Sequence, residues 1–158
     1  MSITAIPNNL EATPRQKLWY WVPTLLWLCM LAAFSTDTFS AEHTGRILWK
    51  IVHVFLPGIS SQHFDTLHFL VRKTAHFTSY GLLSFFAFFS WRATLPARER
   101  WIIRWCNLAL LLTLLAASLD EFHQSFIPSR TSSVRDVMLD MLGAFFFQIM
   151  IAIFVRGK

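Results

Sequence analysis

The sequence predicts an all-α membrane protein: a bundle of four transmembrane helices with a short interfacial amphipathic helix between the first two. Hydrophobic residues make up 54% of the 158 residues and charged residues only 15%, against about 25% charged residues in an average soluble domain. The apolar residues also form runs close to the roughly 20 residues that a helix needs to cross the hydrocarbon layer. A soluble protein of this length could not bury so much apolar surface, so we expect one membrane domain.

The N-terminal segment predicts a short tail followed by the first span. Residues 1–14 are mostly polar and contain two prolines, which is typical of a loose cytosolic tail, and residues 15–158 are expected to form the membrane domain. The first span is expected at about 18–34, after Arg15 and Lys17. A secretory signal peptide is the alternative, but the apolar stretch is long for one and no clean small-residue cleavage site follows it.

A short amphipathic helix is predicted between spans one and two. Apolar residues alternate with Arg46, Lys50 and His53, and Pro57-Gly58 ends the pattern. Such a helix lies in the membrane interface with its apolar side toward the acyl chains. Its simplest role is to cover the domain, and substrate binding is the alternative.

Three further spans are expected at about 67–91, 101–119 and 137–155. The second has an unusual polar side, because Lys73, His76 and Tyr80 fall within about 60° of one another at 100° per residue. A charge inside a membrane costs about 2.5 to 3.5 kcal/mol on insertion scales. Alternatively, the long side chains of Arg72 and Lys73 could simply extend to the lipid head groups. That explanation accounts for the two charges but not for the alignment of His76 with Tyr80.

Spans three and four are joined by a polar turn that is expected to contribute to a site. The segment 118–136 holds the adjacent acids Asp120 and Glu121 and several further charged residues. At the start of span four, Asp136, Asp140 and Gly143 follow the spacing i, i+4, i+7 and so share one side of the helix within about 60°. A glycine there would let a neighbouring helix approach closely.

The distribution of charge predicts which side of the membrane each segment occupies. With four spans, one side holds both termini and eight basic residues against two acids, and the other side holds six basic residues against seven acids. The positive-inside rule then places both termini in the cytoplasm, in a multi-pass protein of the inner or cytoplasmic membrane. The polar ends of spans two, three and four all reach the outer leaflet, which predicts one shared pocket there.

Several other classes of function are not favoured by the sequence. The net charge of +5 comes from residues that flank apolar runs, without the basic stripe of a nucleic-acid-binding surface. Cys29 and Cys106 lie inside apolar segments and are expected to be packing residues. No cofactor is expected. A zinc site would need His123, which lies about 160° from Glu121 on the helix, so no metal is expected either.

Three ordered blocks carry a resemblance to a known family. They are Lys73-x-x-His76-x-x-x-Tyr80, Asp120-Glu121-x-x-Gln124-x-Phe126-x-Pro128-x-Arg130, and Asp136-x-x-x-Asp140-x-x-Gly143. In these residues the chain resembles the VanZ-like family of small membrane proteins. The family usually has Asn where this chain has Asp140. Its namesake is associated with low-level resistance to teicoplanin in Gram-positive bacteria, and the resemblance implies no settled reaction.

The residues themselves support three hypotheses. In the first, the protein is an enzyme acting on an envelope lipid or lipid-linked glycan, with candidate acid and base groups from His76, Glu121 and Asp120. Lys73 and Arg130 would hold an anionic group. The full candidate set for substrate binding is Lys73, Tyr80, Gln124, Arg130, Asp136 and Asp140.

The other two hypotheses need no chemistry. The same residues could bind an envelope component or a partner membrane protein without converting it. Alternatively, they could form ion pairs that hold the four helices together, in which case breaking one pair would leave an uncompensated buried charge. The expected partners are the lipid bilayer and an anionic lipid or lipid-linked glycan, with no nucleic acid and an undefined oligomeric state.

Overall fold

Five α-helices make up most of the part of the chain that the structure describes. The structure is a computed structural model that describes residues 13–36, 40–95, 102–128 and 132–156. The helices are α1 (Pro14–Phe34), α2 (Ala41–Phe55), α3 (Ser61–Thr94), α4 (Ile102–Gln124) and α5 (Val134–Arg156). Most of the expected tail, residues 1–12, lies outside the described residues, so its conformation remains a prediction.

Three of the described helices are long and apolar enough to cross a membrane, against the four that we expected. They are Pro14–Phe34, Ile103–Gln124 and Val134–Phe154. The expected span that does not meet this criterion is α3. It contains Lys73, His76 and several serines and threonines, which lower its mean hydropathy. The all-helical class is confirmed, and helix α3 differs because it is the most polar of the long helices.

Helix α3 lies at the centre of the described bundle. It packs against α1, α4 and α5, and α2 also packs against it. Its buried side chains include Tyr80, Leu83, Ser84, Ala87 and Phe88. Several polar residues of α3, among them Lys73, Tyr80 and Ser84, find partners on other helices. These partners explain how a helix of such mixed composition fits in an apolar bundle.

Helices α3 and α5 run in the same direction and approach each other closely. Contacts advance together along both helices, from Lys73 with Asp136 to Ser84 with Gln148. At the crossing, a Cβ atom added to Gly143 would overlap the backbone carbonyl of Phe77. Only a residue without a side chain permits this approach, so the close contact that was predicted for Gly143 is confirmed.

Helix α2 is an amphipathic element with one side unpacked against the bundle. It begins after Ser40, whose hydroxyl accepts a hydrogen bond from the His43 amide, and it is longer than expected because it starts at Ala41. Trp49 packs edge-to-face on Phe64 of α3, with ring centroids 4.7 Å apart. Its exposed apolar side is formed by Ile47, Ile51, Val54 and Phe55. The predicted helix is thus confirmed as an element.

The bundle has two unlike halves. The apolar half comprises residues 14–27, 82–95, 102–113 and 144–154. The polar half comprises residues 28–36, 72–81, 116–124 and 134–143. In the apolar half, Phe88, Trp105 and Ile151 form a core with two alanines. Neutral hydrogen bonds supplement this core, such as Gln148 Nε2 donating to Ser84 Oγ at 2.8 Å. The polar half contains the charged groups and cavities described next.

Candidate functional site

Helices α3 and α5 meet in two pairs of charged or titratable side chains. Lys73 Nζ donates to Asp136 Oδ1 across a distance of 2.5 Å. One turn further, His76 Nδ1 lies 3.3 Å from Asp140 Oδ1. This second approach is close enough for electrostatic attraction, but it is not aligned as a hydrogen bond. Both pairs result from parallel helices, since residues three apart on α3 meet residues four apart on α5.

Helices α3 and α4 are joined by a tyrosine–carboxylate hydrogen bond. The Tyr80 hydroxyl donates to Asp120 Oδ2 at 2.7 Å, and Tyr80 is only 2% exposed. The His76 ring is stacked near the Tyr80 ring, with centroids 6.2 Å apart. The side of α3 that carries Lys73, His76 and Tyr80 therefore faces carboxylates from two different helices.

Glu121, the neighbour of Asp120 on α4, contacts the start of α5. It is buried, and its Oε2 accepts a hydrogen bond from the Ser133 amide at 2.7 Å. Ser133 Oγ in turn accepts from the Arg135 amide. A carboxylate is favourable at this point because the first amides of a helix have no partners within the helix. In this position Glu121 ties the end of α4 to the beginning of α5.

A cavity of about 150 Å³ lies beside His76 and is named here the His76 cavity. Its polar lining comes from Ser35, Thr44, Arg72, His76, Ser79, Tyr80, Asp120 and Gln124, and its apolar lining from Leu31, Phe34 and Ala75. Helices α2, α3 and α4 and the end of α1 contribute to it, with Thr44 as the contribution of α2. Asp140 stands behind His76 and does not reach the cavity.

A second space of about 350 Å³ adjoins the first and is named here the α1–α4 crevice. Its walls are Leu28, Leu31, Ala32, Ser35, Thr36, Tyr80, Ala116, Leu119, Asp120 and His123. Ser35 Oγ and His123 Nδ1 lie 3.0 Å apart in a hydrogen bond that joins α1 to α4 at one end of the crevice. The Tyr80–Asp120 pair separates the two spaces, since both residues line both of them.

The cluster is rich in carboxylates that lack complete hydrogen bonding among the described residues. Asp140 is fully buried, and neither of its oxygens has a hydrogen-bond partner there. The second oxygen of Asp120 and that of Glu121 are also without one. Buried polar atoms are nearly always hydrogen-bonded, so each exception calls for an explanation. Asp120 lines both spaces, whereas Asp140 and Glu121 line neither of them.

The structure distributes the predicted site residues over three places. His76, Tyr80, Asp120 and Gln124 line the His76 cavity. Lys73, Asp136 and Asp140 stand on the α3–α5 side of it, in the two pairs already described. Glu121 contacts the α5 start, and Arg130 lies outside the described residues. The catalytic and binding roles of all nine residues remain predictions.

Several cavity residues were not among the predicted site residues. Arg72, Ser35, Thr44, Ser79 and His123 line one or both spaces. Arg72 could have been found, because it stands four residues before His76 and so lies on the same side of the helix. Ser35 and Thr44 carried no such signal, since their place depends on how α1 and α2 pack against α3. Across the described ranges, no group of three or more His, Cys, Asp or Glu side chains is placed to hold a metal ion.

Comparison with known proteins gives one match. The model of the protein family described as VanZ/LLP1 matches residues 20–155, which is most of the chain. No curated protein matches the chain. No solved structure matches it either.

Proposed function

Because the chain belongs to the VanZ/LLP1 family, we propose that it is an integral membrane protein that binds the polar group of an envelope lipid or lipid-linked glycan. The observation that carries this proposal is the convergence of His76, Tyr80 and Asp120, from α3 and α4, on one cavity of about 150 Å³. Isolated polar residues within a membrane bundle are costly, and they commonly mark sites of function.

The proposal includes a fourth span formed by α3. From Lys73 to Thr94 this helix is about 33 Å long at 1.5 Å per residue, which matches the hydrocarbon thickness of about 30 Å. Its position between α1, α4 and α5 supports this, because Lys73, Tyr80 and Ser84 of α3 pair with side chains of α4 and α5. The part before Lys73 would lie with α2 in the interface, where the exposed apolar side of α2 meets acyl chains.

The orientation follows from the charge count in the sequence. Both termini would be cytoplasmic, and the His76 cavity would then lie in the outer leaflet of the cytoplasmic membrane. A reporter that is active only outside the cytoplasm, fused after Lys158, is expected to be inactive. The same reporter inserted at Gly58, in the proposed exterior segment, is expected to be active. Activity of the first fusion and inactivity of the second would reverse the proposed orientation.

The groups at the cavity indicate the kind of polar group that fits. A carboxylate such as Asp120 accepts hydrogen bonds from hydroxyls, and the Gln124 amide can both donate and accept. Arg72 lines the same cavity, and guanidinium groups suit phosphate. The anion-binding role expected for Lys73 moves to Arg72 in this proposal, because Arg72 lines the cavity and Lys73 does not. We therefore favour a group that carries both phosphate and hydroxyls.

A second candidate function is acid–base chemistry on the bound group. It is favoured by one observation: His76 lines the cavity while its Nδ1 faces the buried Asp140 at 3.3 Å. A carboxylate 3.3 Å from one ring nitrogen attracts that side of the imidazole electrostatically and leaves the other nitrogen for proton transfer. Asp140 would then be a positioning residue and His76 the group that meets the ligand.

The experiment that tests binding compares co-purified lipids by mass spectrometry. Wild type, Asp120→Asn and Asp65→Asn are purified in a mild detergent at matched amounts. Asp65 is an exposed carboxylate of α3 that lines neither space, so its variant is the matched control. An amphiphile enriched with wild type and Asp65→Asn, and reduced several-fold with Asp120→Asn, supports the proposal. Equal enrichment in all three variants contradicts it.

The same cells separate binding from chemistry. If the envelope lipid profile changes when wild type is expressed, but not with His76→Gln, the second candidate gains support. If the profile is unchanged while the amphiphile still co-purifies, binding without chemistry stands. A role in resistance is a separate proposal, which is tested by teicoplanin susceptibility of cells with wild type or Asp120→Asn at matched expression.

A further inference from the structure

We propose that the α1–α4 crevice holds one hydrocarbon chain of the amphiphile whose polar group occupies the His76 cavity, and that the chain enters sideways from the membrane. This inference rests on the proposed function and adds the form of the ligand. The ligand would be a lipid, bound by a single chain and its polar group together, and not a water-soluble phosphate or sugar.

The way the helices pack leaves the crevice in place. Helix α1 packs on α3, and α4 packs on α3 and α5, but no extensive contact joins α1 to α4 in the described residues. Two membrane helices normally close such a gap with small residues or hydrogen bonds. Here the described contact is the Ser35–His123 hydrogen bond at one end. Beside that bond, the two helices are separated by the crevice, a space of about 350 Å³.

The lining of the crevice fits hydrocarbon. Leu28, Leu31 and Ala32 come from one wall, and Ala116 and Leu119 from the other. A wholly apolar cavity of about 150 Å³ in another protein holds benzene, so by volume the crevice has room for roughly ten to fifteen carbon atoms. That amount is a segment of one acyl or isoprenoid chain. The two chains of an ordinary phospholipid would not both fit.

The two spaces together offer a polar site and an apolar site next to each other, as an amphiphile requires. Leu31, Ser35, Tyr80 and Asp120 line both spaces, so the two spaces are adjacent, on either side of the Tyr80–Asp120 pair. The polar groups of α3 are concentrated on one side of the Tyr80–Asp120 pair, and the apolar walls lie on the other. A polar group beside His76 would thus be continuous with a chain between α1 and α4.

The rim of the crevice indicates the route of entry. Leu119 is 66% exposed, and Ala32 is also exposed, so the long side of the crevice is open between the two helices. In a membrane that opening faces acyl chains. The Ser35–His123 hydrogen bond spans the end near the helix termini. A lipid would therefore enter through the long side, and the proposal requires no passage of its chain through water.

The test uses a photoactivatable lipid and two neighbouring alanines of α1. The protein is placed in nanodiscs with phosphatidylglycerol that carries a diazirine in the middle of one acyl chain, and cross-linked peptides are mapped by mass spectrometry. Ala32→Trp fills the crevice. Ala33→Trp is the matched control, because Ala33 is an equally exposed residue of the same helix that lines neither space.

Wild type and Ala33→Trp are expected to be labelled at Leu28, Ala116 and Leu119 several-fold more than at Leu115, which is an exposed residue of α4 outside the crevice. Ala32→Trp is expected to lose this preference while eluting as wild type does in size-exclusion chromatography. If Ala32→Trp does not fold, Ala116→Leu on the opposite wall replaces it. Labelling of Leu115 at the level of the crevice residues in wild type would overturn the inference, because bulk lipid alone produces that pattern.

The outcome is distinguishable from failure of the proposed function. If crevice labelling shows no preference but the co-purified amphiphile still depends on Asp120, only the chain site is wrong. If crevice labelling is preferential but co-purification does not depend on Asp120, the polar group binds elsewhere. The proposed function then fails, and with it the connection between the two spaces.

Discussion

The two halves of the bundle solve the same packing problem with different chemistry. In the apolar half, Phe88 and Trp105 fill the centre and Ser84, Ser90 and Gln148 supply neutral hydrogen bonds. In the polar half the same helices are joined by Lys73 with Asp136, His76 with Asp140, and Tyr80 with Asp120. The polar half also contains the two adjacent spaces.

The difference teaches that the charged groups are not needed merely to join these helices. The apolar half joins α3 to α1 and α5 with hydroxyl and amide groups, which are less costly to place in a membrane than charges. A fully buried carboxylate without a hydrogen bond among the described residues, as at Asp140, is poor material for stability. The contrast favours a functional reason for the polar half.

The largest expected effect comes from the crossing between the two halves. Gly143→Val would place side-chain atoms where the Phe77 backbone lies, and a backbone cannot move aside as a flexible side chain can. We expect a loss of more than about 3 kcal/mol of unfolding free energy, seen as loss of the monodisperse peak in size-exclusion chromatography. Gly58→Ala is the control, since nothing lies near an added Cβ there. A stable Gly143→Val protein would contradict the close crossing.

The next effect tests whether the polar half includes a purely structural pair. Lys73→Met or Asp136→Leu alone leaves one charge unpaired. Each is expected to cost about 1–3 kcal/mol, below the about 3–5 kcal/mol of a fully buried pair, because the two side chains are 30% and 22% exposed. The double variant is expected to recover most of the loss in denaturant titrations. If the double variant is as unstable as the sum of the singles, the two charges do not stabilise each other, and the interpretation as a structural pair is contradicted.

A smaller effect on stability is expected at the boundary of the two spaces. Tyr80→Phe removes one hydrogen bond to a carboxylate, which is worth about 1.5 kcal/mol. The amount of co-purified amphiphile is expected to fall several-fold, because Tyr80 lines both spaces. We therefore expect Tyr80→Phe to reduce lipid retention more than it reduces stability. Loss of stability with unchanged lipid retention would assign Tyr80 to structure alone.

The smallest effect is expected in the apolar half. Gln148→Leu removes the hydrogen bonds to Ser84 and is expected to cost about 0.6 kcal/mol, the average for such bonds between membrane helices. Lipid retention is expected to stay at the level of wild type. If Gln148→Leu reduced lipid retention as much as Tyr80→Phe does, the two halves would be coupled. Lipid binding could then not be assigned to the polar half alone.

Much of the helical framework follows from local sequence. Runs of apolar residues predicted the helices that became α1, α4 and α5, and alternation of apolar and charged residues predicted α2. The observed helices extend beyond the expected spans, for example to Gln124 where the third span was expected to end at residue 119. Polar residues continue a helix as readily as apolar ones when their side chains find partners, so hydropathy marks the membrane region better than it marks the helix end.

The sequence by itself determined which side of each helix is polar, because a helix repeats every 3.6 residues and this places Lys73, His76 and Tyr80 together. It also determined the family, through three ordered blocks. Only the tertiary structure decided which helix each residue meets. Tyr80 turned out to meet α4 while His76 meets α5, and Glu121 turned out to hold the start of α5. Helical periodicity fixes directions within one helix, whereas the distances between helices depend on packing, here on the close approach at Gly143.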